Sequence, residues 1–513
     1  MDSETSPLLP GSGSPPPPGS PRTTHDHDHD AQRCTGSQDA KLYPYTVILV
    51  GLFSLVADMG GSMVDTPDVR MLEMAVCRDY YRSHNATVIG PPPQSYVPEK
   101  LCKVPQIQNN LAYLRAIRSL LMTIPGLLLT LPYGRLADRI GRKPVMLLGM
   151  TGQVLNYFWV LFICYFHEIL PTRAVLISPM FLAIGGGVRV LSAMVNALVV
   201  DVCPPEMRTT VFYLIGAVVL LTDVVAAPIG SWLLSKDLWL PYWFSTPIIL
   251  MGYPIILLMP ETASAIKNPH PSSLTHDENS GSDSSDQATT SASLVTNIRT
   301  RVKESLGAFA ISKEITLCLV VIFLNSFSSS SGNFFIQYVS NLLDWPIART
   351  GYLLSIKAAV LLGLLLVLAT LTRFANLQGS SRGLNVDVWV TRTSLMLLVL
   401  GNLVLGLGKN TAAVIIGAVV TTGGNGIVQA MQGIVASLAR SSSVTGQLYA
   451  GVALAELTAA LIGGLAFAGL FNLGMNSGSE TGLGLPFIVS AMLFLITFGI
   501  SFFIPAGPRA RTT

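Results

Sequence analysis

The sequence predicts an all-α polytopic membrane protein of twelve transmembrane helices in two six-helix bundles. Three observations predict it. Half of the 513 residues are apolar and only 12% are charged, where a soluble globular protein carries about 25% charged residues. Stretches near the roughly 20 apolar residues needed to cross a bilayer core recur along most of the chain. They come as six, then a long polar segment, then six again. A large soluble helical protein would need charged faces between its apolar ones, and this sequence lacks them.

Residues 1–40 are rich in Pro, Ser, Gly and Asp and predict a disordered, solvent-exposed tail. The tail has no apolar core, so it does not read as a cleaved signal peptide, and the first span must act as the insertion signal. Apolar spans follow at 43–66, 112–133, 144–166, 174–200, 210–235 and 242–260. A Ser-, Thr- and Asp-rich segment reads as a linker. Further spans lie at 314–342, 351–372, 388–408, 411–438, 446–471 and 484–504. The expected organisation is a tail over 1–40, a first bundle over 41–262, a cytoplasmic linker over 263–310, a second bundle over 311–505 and a cytoplasmic tail over 506–513.

Orientation follows from the cations of the short connections. Arg135, Arg139, Arg142 and Lys143 follow the second span, Arg208 the fourth, Arg373 and Arg382 the eighth, and Arg440 the tenth. All fall on one side if both termini are cytoplasmic. The connection expected over 67–111 then faces outward, and its Asn85-Ala86-Thr87 is a glycan acceptor site. Cys77 and Cys102 flank that connection and can pair in an oxidising compartment. Six cysteines, scattered as they are, do not make a disulfide scaffold.

The halves repeat each other. Gly186, Gly187, Ala193 and Met194 of the fourth span match Gly423, Gly424, Ala430 and Met431 of the tenth. At nearly the same offset, Tyr213, Leu221 and Thr222 of the fifth span match Tyr449, Leu457 and Thr458 of the eleventh. A parallel repeat of this kind puts a substrate cavity between two halves.

The connection after the second span reads Gly134-Arg135-Leu136-Ala137-Asp138-Arg139-Ile140-Gly141-Arg142-Lys143-Pro144. It closely resembles the signature loop of the major facilitator superfamily, G-x-L-A-D-R-x-G-R-R/K. On physical grounds Gly134 permits close helix approach, Gly141 suits a tight turn, and Asp138 among Arg139 and Arg142 can form an ion-paired latch. Asp201 and Arg208, around Pro204, resemble the acidic and basic pair that follows the fourth helix in that superfamily. Pro260-Glu261-Thr262 resembles the Pro-Glu-Ser/Thr ending of its sixth helix. The resemblance implies that Asp138, Arg142 and Asp201 form a charge network between helices that stabilises the outward-open state.

There are departures. Drug exporters of the superfamily carry an Arg in the outer part of helix four, where this chain has Leu182; Arg189 lies seven residues later on roughly the same face. Ala226-Ala227-Pro228-Ile229-Gly230-Ser231 matches only part of the exporters' Gly-Pro-Gly-Gly pattern. The second-half copy of the signature loop, around Arg373 to Arg382, has decayed. Pro67-Asp68-Val69-Arg70, Glu73, Cys77-Arg78 and Tyr80-Tyr81 resemble the end of helix one in many fungal members, whose layout resembles the proton-coupled folate transporters.

Ionisable residues at membrane depth are costly and mark function. Asp223 and Glu456, midway along spans five and eleven, are the leading candidates for proton coupling, with Asp58 of span one beside them. Each has a plainer reading as a carboxylate held by a local hydrogen bond. Arg189 and Lys357 are placed to bind an anionic substrate or to pair with those carboxylates. Arg115 and Arg118 lie near an expected helix end, where they can snorkel instead. Asn325, Asn333 and Gln337 of span seven, with Asn425 and Gln429 of span ten, either line a cavity or hydrogen-bond between helices.

Glu4-Thr5-Ser6-Pro7-Leu8-Leu9 resembles an acidic dileucine sorting signal, with Glu4, Leu8 and Leu9 as its readable positions. That motif and the spans together point to a plasma or vacuolar membrane. His25, His27 and His29 alternate with Asp in the tail and read as solvated rather than metal-binding. No nucleophile constellation, metal-ligand spacing or phosphate-cradling loop points to an enzyme, a cofactor or nucleic acid. The expected function is secondary transport of a small organic molecule by a monomer, coupled to protons, leaning to export of drug-like or secondary metabolites. Proton-coupled uptake of an organic anion and a non-transporting nutrient sensor are the alternatives.

Overall fold

The structure is a computed structural model that describes residues 27–92, 94–203, 205–261, 313–377, 380–440 and 445–503. Glu4, Leu8, Leu9 and the whole of the expected 263–310 linker lie outside the described residues. The chain divides into two compact units, residues 1–45 and 46–513, and all that follows concerns the second.

All regular structure among the described residues is helical. Eleven helices are long and apolar enough to cross a membrane, and Leu485–Ser501 is a shorter apolar helix after them. In order, the eleven are Pro44–His84, Pro105–Thr130, Arg142–Tyr165, Thr172–Val202, Leu214–Lys236, Leu240–Leu258, Ile315–Leu342, Ile347–Leu368, Asp387–Leu407, Thr411–Gln432 and Gly451–Asn476. These match the spans expected from apolar runs, with one difference. The first is 41 residues long, about 60 Å at 1.5 Å per residue, twice the depth of a bilayer core. Its outer part, Asp65–His84, is a helix where the sequence suggested a loop. Hydropathy missed it because its buried face carries charge: Arg70 and Glu73 are 4% and 1% exposed and pair at 2.8 Å.

Five spans break inside the membrane-crossing stretch, the first at Met63–Val64 and the sixth at Met251 among them. The fourth changes from a 3₁₀ helix over Thr172–Ile184 to an α-helix over Gly187–Val202. Gly186 and Gly187 make the break at φ 74° and 71°, a left-handed backbone that favours glycine. The tenth breaks at Gly424–Gly426, and the seventh at Ser330–Phe334. The glycine pairs that align in the sequence repeat, Gly186-Gly187 and Gly423-Gly424, therefore mark equivalent breaks in the two halves.

The halves meet along two seams, span five against span eight and span two against span eleven. Small residues permit the first: a side chain on Gly351 of span eight would meet Ser231 of span five and Thr66 of span one. Large apolar side chains such as Trp243 and Trp389 point outward, 75% and 68% exposed, as a lipid-facing surface requires.

Candidate functional site

A cavity of about 910 Å³ opens among spans one to seven and eleven. Its walls are largely apolar, with Phe53, Met122, Met150 and Val195 among them, and are set with Gln153, Asn156 and Asn333. Six charged residues line it: Asp58, Asp65 and Asp68 from the first span, Arg115 and Arg118 from the second, and Arg189 from the fourth. Arg189 is exposed at the wall because Gly126 makes room for its stem; a β-carbon there would lie 3.0 Å from Arg189 Cδ.

Arg118 Nη1 donates to Asp68 Oδ2 at 2.7 Å. Arg115 lines the same wall, and its buried Nη1 has no acceptor. These two arginines do not snorkel to a helix end, because the first span continues beyond them and shields them. Asp58 lies on the wall with a buried Oδ2 that has no partner. Asp223, outside the wall, accepts a hydrogen bond from Ser62, which is itself a wall residue.

Of the residues singled out in the sequence, Asp58, Arg115, Arg118, Arg189 and Asn333 come together on this cavity. Lys357 stacks over the Phe335 ring at 4.7 Å rather than pairing with Asp223 or Glu456. Gln337 is buried, donating to Gln108 Oε1 at 2.8 Å and to the Gln108 carbonyl at 2.7 Å. Asn325, Asn425, Gln429 and Glu456 lie outside the cavity wall. Asp65, Asp68, Arg115 and Arg118 form a cluster that sequence reasoning did not assemble. The signal was an acidic pair and a basic pair, each three residues apart and so on one helix face. Ending the first span at residue 66 hid it.

At one end of the molecule sits the signature loop. Arg142 Nε donates to Asp201 Oδ2 at 2.8 Å, and Arg142 lies 3.7 Å from Asp138. Glu261 completes the arrangement: its carboxylate accepts from the backbone N–H of Arg142 at 2.8 Å and of Lys143 at 3.2 Å, capping the third span. Lys143 Nζ in turn donates to the carbonyls of Leu257 and Met259. Gly141, at φ 107° and ψ 161°, leaves room for the Glu261 carboxylate where a β-carbon would stand. Gly134 differs from expectation, since a β-carbon there meets open space and no close helix approach depends on it. Arg139 is exposed, and the Arg208 side chain lies outside the described residues.

At the other end, Cys77 and Cys102 form a disulfide, S–S 2.10 Å. Glu73 accepts from Arg70 at 2.8 Å and from Gln108 at 2.7 Å. The segment leading from the disulfide reaches the second half. Lys103 Nζ donates to the carbonyls of Ser340 and Trp345, each at 2.8 Å, and to Asp344 at 3.2 Å. Glu99 accepts from the Ile347 N–H at 2.7 Å, and Asn109 donates to Asn476 at 3.0 Å. These bonds hold the two halves together at the disulfide end. Asn85 is exposed there, at the end of the Asp65–His84 helix. In the connection beside it, burial pushes the His167 imidazole below its usual range, and the Arg78 charge adds to the effect.

The sequence model of the Major Facilitator Superfamily matches residues 105–463. The MFS efflux pump atnC of Emericella nidulans is 31% identical over 459 residues, covering 89% of this chain and 87% of that protein. The MFS transporter SAT21 of Stachybotrys chartarum is 26% identical over 465 residues, covering 87% and 94%. Among solved structures, a D-xylose-proton symporter superposes with a TM-score of 0.61 at 11% identity, covering 90% of this chain and 98% of that one. The human organic anion transporter MFSD10 superposes with a TM-score of 0.53 at 18% identity, covering 89% and 98%. At those identities the two structures speak for the fold alone.

Proposed function

The chain belongs to the major facilitator superfamily, and from that premise we propose that it exports a drug-sized amphipathic metabolite in exchange for protons. The observation that carries the reading is the cavity, whose volume of about 910 Å³ lies in the range of small-molecule sites, mostly apolar with few polar groups. In the proposed cycle, halves 41–262 and 311–505 rock about the seams of spans five with eight and two with eleven, exposing the cavity to alternate sides. The direction is supported by the efflux-pump name of the Emericella nidulans relative.

Proton exchange is proposed at Asp58 and Asp223. Asp58 meets the cavity with an unpartnered carboxylate oxygen, and Ser62 links the cavity wall to Asp223. Both carboxylates lie at membrane depth, where ionisable groups are costly and mark function. Glu456 is the second-half candidate. Arg189 and Asn333 are the proposed substrate contacts within the wall. The protein is proposed to work as a monomer in the plasma or vacuolar membrane, with a glycan at Asn85.

The test is intravesicular pH in proteoliposomes during addition of a panel of amphipathic dyes and organic acids. Substrate-dependent proton flux that is lost in Asp58→Asn or Asp223→Asn is the expected result. Flux with unchanged pH dependence in both variants refutes coupling through these residues. Saturable binding without any flux points to a sensor.

A further inference from the structure

The cluster at the disulfide-side wall of the cavity has a charge balance that constrains what can bind there. Arg115 and Arg118 share one face of the second span, and Asp65 and Asp68 share one face of the first; all four line the cavity. One acid and one base are used up on each other, since Arg118 and Asp68 pair at 2.7 Å. The other two are not joined. Arg115 is within electrostatic reach of Asp68 and, more weakly, of Asp65, yet among the described residues no ion pair within 4.0 Å links it to either. Arg115 Nη1 and Arg118 Nε are both buried without an acceptor, while Asp65 is exposed at the wall.

A guanidinium keeps its charge under ordinary conditions, and a buried charged donor with no acceptor is among the costliest groups a fold can hold. An acceptor supplied by a ligand relieves it. A purely anionic ligand, however, would set its charge against Asp65, with Asp68 close by. A purely cationic ligand would leave Arg115 unmatched and be repelled by it. The four side chains sum to zero charge, so a net-neutral ligand carrying both signs preserves the balance.

We propose that Arg115 and Asp65 form a subsite for a zwitterion, Arg115 taking the carboxylate and Asp65 the ammonium group of an amino-acid-like or peptide-like substrate. The apolar remainder of that substrate lies against Met122 and Leu161, which line the same cavity. Arg118, bonded to Asp68 at 2.7 Å, is a positioning residue that fixes the Asp68 carboxylate, whose charge also reaches Arg115. The inference rests on the transporter reading, since it assigns the substrate class of the same cavity.

Three matched fluorescent probes test it on the purified full-length chain: Nε-dansyl-lysine, which is zwitterionic; dansylcadaverine, which carries only the ammonium; and dansyl-aminohexanoate, which carries only the carboxylate. The wild type is expected to bind dansyl-lysine about tenfold more tightly than either single-charge probe. Arg115→Gln should bring dansyl-lysine down to the level of dansylcadaverine, and Asp65→Asn down to that of dansyl-aminohexanoate. Arg115→Lys, which keeps the charge, should restore part of the preference and controls for misfolding, with the ligand-free Tm of each variant as a second control. Equal binding of the three probes, a preference for a single-charge probe, no binding of any, or a ranking unchanged in both variants overturns the proposal. Binding is read in detergent, apart from flux, so dansyl-lysine binding with no transport in vesicles would sink the transporter reading and leave the subsite standing.

Discussion

The two ends of the molecule are both rich in polar contacts, but the contacts have different ownership. At the disulfide end they cross between the halves: Lys103 and Glu99 of the first half hold the Ser340–Ile347 turn of the second, and Asn109 holds Asn476. At the signature-loop end the contacts described above join members of one half, since Asp138, Arg142, Asp201 and Glu261 all precede the linker. A rigid rocking of halves must break the first set and can carry the second along unbroken. This bears on the role implied by resemblance, in which the Asp138–Arg142–Asp201 network marks an outward-open state. Here the network is formed while the disulfide end is held shut, which its membership of a single half permits.

The largest expected effect lies at the disulfide end, where the polar groups are most buried. Arg70→Met strands the Glu73 carboxylate, 1% exposed, with Gln108 as its remaining hydrogen-bond partner. Removing one member of a buried pair costs about 3–5 kcal/mol, read as a lowered Tm by nanoscale fluorimetry in detergent. The double variant Arg70→Met with Glu73→Leu should recover most of the loss. A single variant no less stable than the double would show that the two charges are not held as a buried couple.

The signature loop sharpens the comparison through its two glycines. Gly141 adopts φ 107° and ψ 161°, a region essentially reserved for glycine, and forcing another residue there costs about 1–3 kcal/mol. Gly141→Ala would also push against the Glu261 carboxylate and loosen the cap on the third span. Gly134 sits inside the Pro105–Ile140 helix with open space beside it. Gly134→Ala should therefore stabilise by about 0.5–1 kcal/mol through helix propensity. Opposite signs of ΔTm for the two variants are expected; a loss in both would mean that Gly134 serves a contact made in another conformation.

An effect on conformation rather than stability is expected at the clamp. Lys103→Met removes a charge-assisted donor from two carbonyls and from Asp344, interactions worth about 1.5–3 kcal/mol. The equilibrium should shift toward opening at the disulfide end by roughly tenfold or more, since 1.4 kcal/mol is a factor of ten. The readout is the rate at which a membrane-impermeant maleimide, applied from the disulfide side, labels Asn333→Cys in the cavity. An unchanged rate would mean that the clamp is not what holds that end shut.

The fold was legible in the sequence because apolar runs of bilayer length leave few alternatives; the paired glycines at 186–187 and 423–424 aligned the two halves there, but that they break spans four and ten is seen only in the structure. The contacts of the signature loop were legible too, since Asp138, Arg142 and Asp201 occupy a recognisable pattern at helix ends. The site was legible only in part. Asp58, Arg189 and Asn333 are isolated polar residues in apolar surroundings, which is a local signal. The Asp65–Asp68 and Arg115–Arg118 cluster is not local: it exists only because the first span runs on as a helix past residue 66, and that run is stabilised by a buried ion pair and a disulfide that hydropathy reads as polar loop. Glu456 and Lys357 show the reverse, charges at membrane depth whose side chains do not reach the cavity.

The smallest expected effect is also the one that most directly tests the contrast between the ends. Asp201→Asn weakens its bond to Arg142, two side chains only 16% and 14% exposed, yet Asp138 and the Glu261 cap remain to hold the loop. A loss of about 1 kcal/mol or less in stability is expected, as for pairs still reached by solvent. Because both partners belong to one half, the rate of Asn333→Cys labelling should stay within about twofold of the parent protein, a shift of under 0.5 kcal/mol in the opening equilibrium. If Asp201→Asn instead slows or speeds labelling as much as Lys103→Met does, the network must gain or lose partners in the second half during the cycle. The signature-loop end would then be a second clamp rather than a brace carried by one half, and the asymmetry drawn between the two ends would fall.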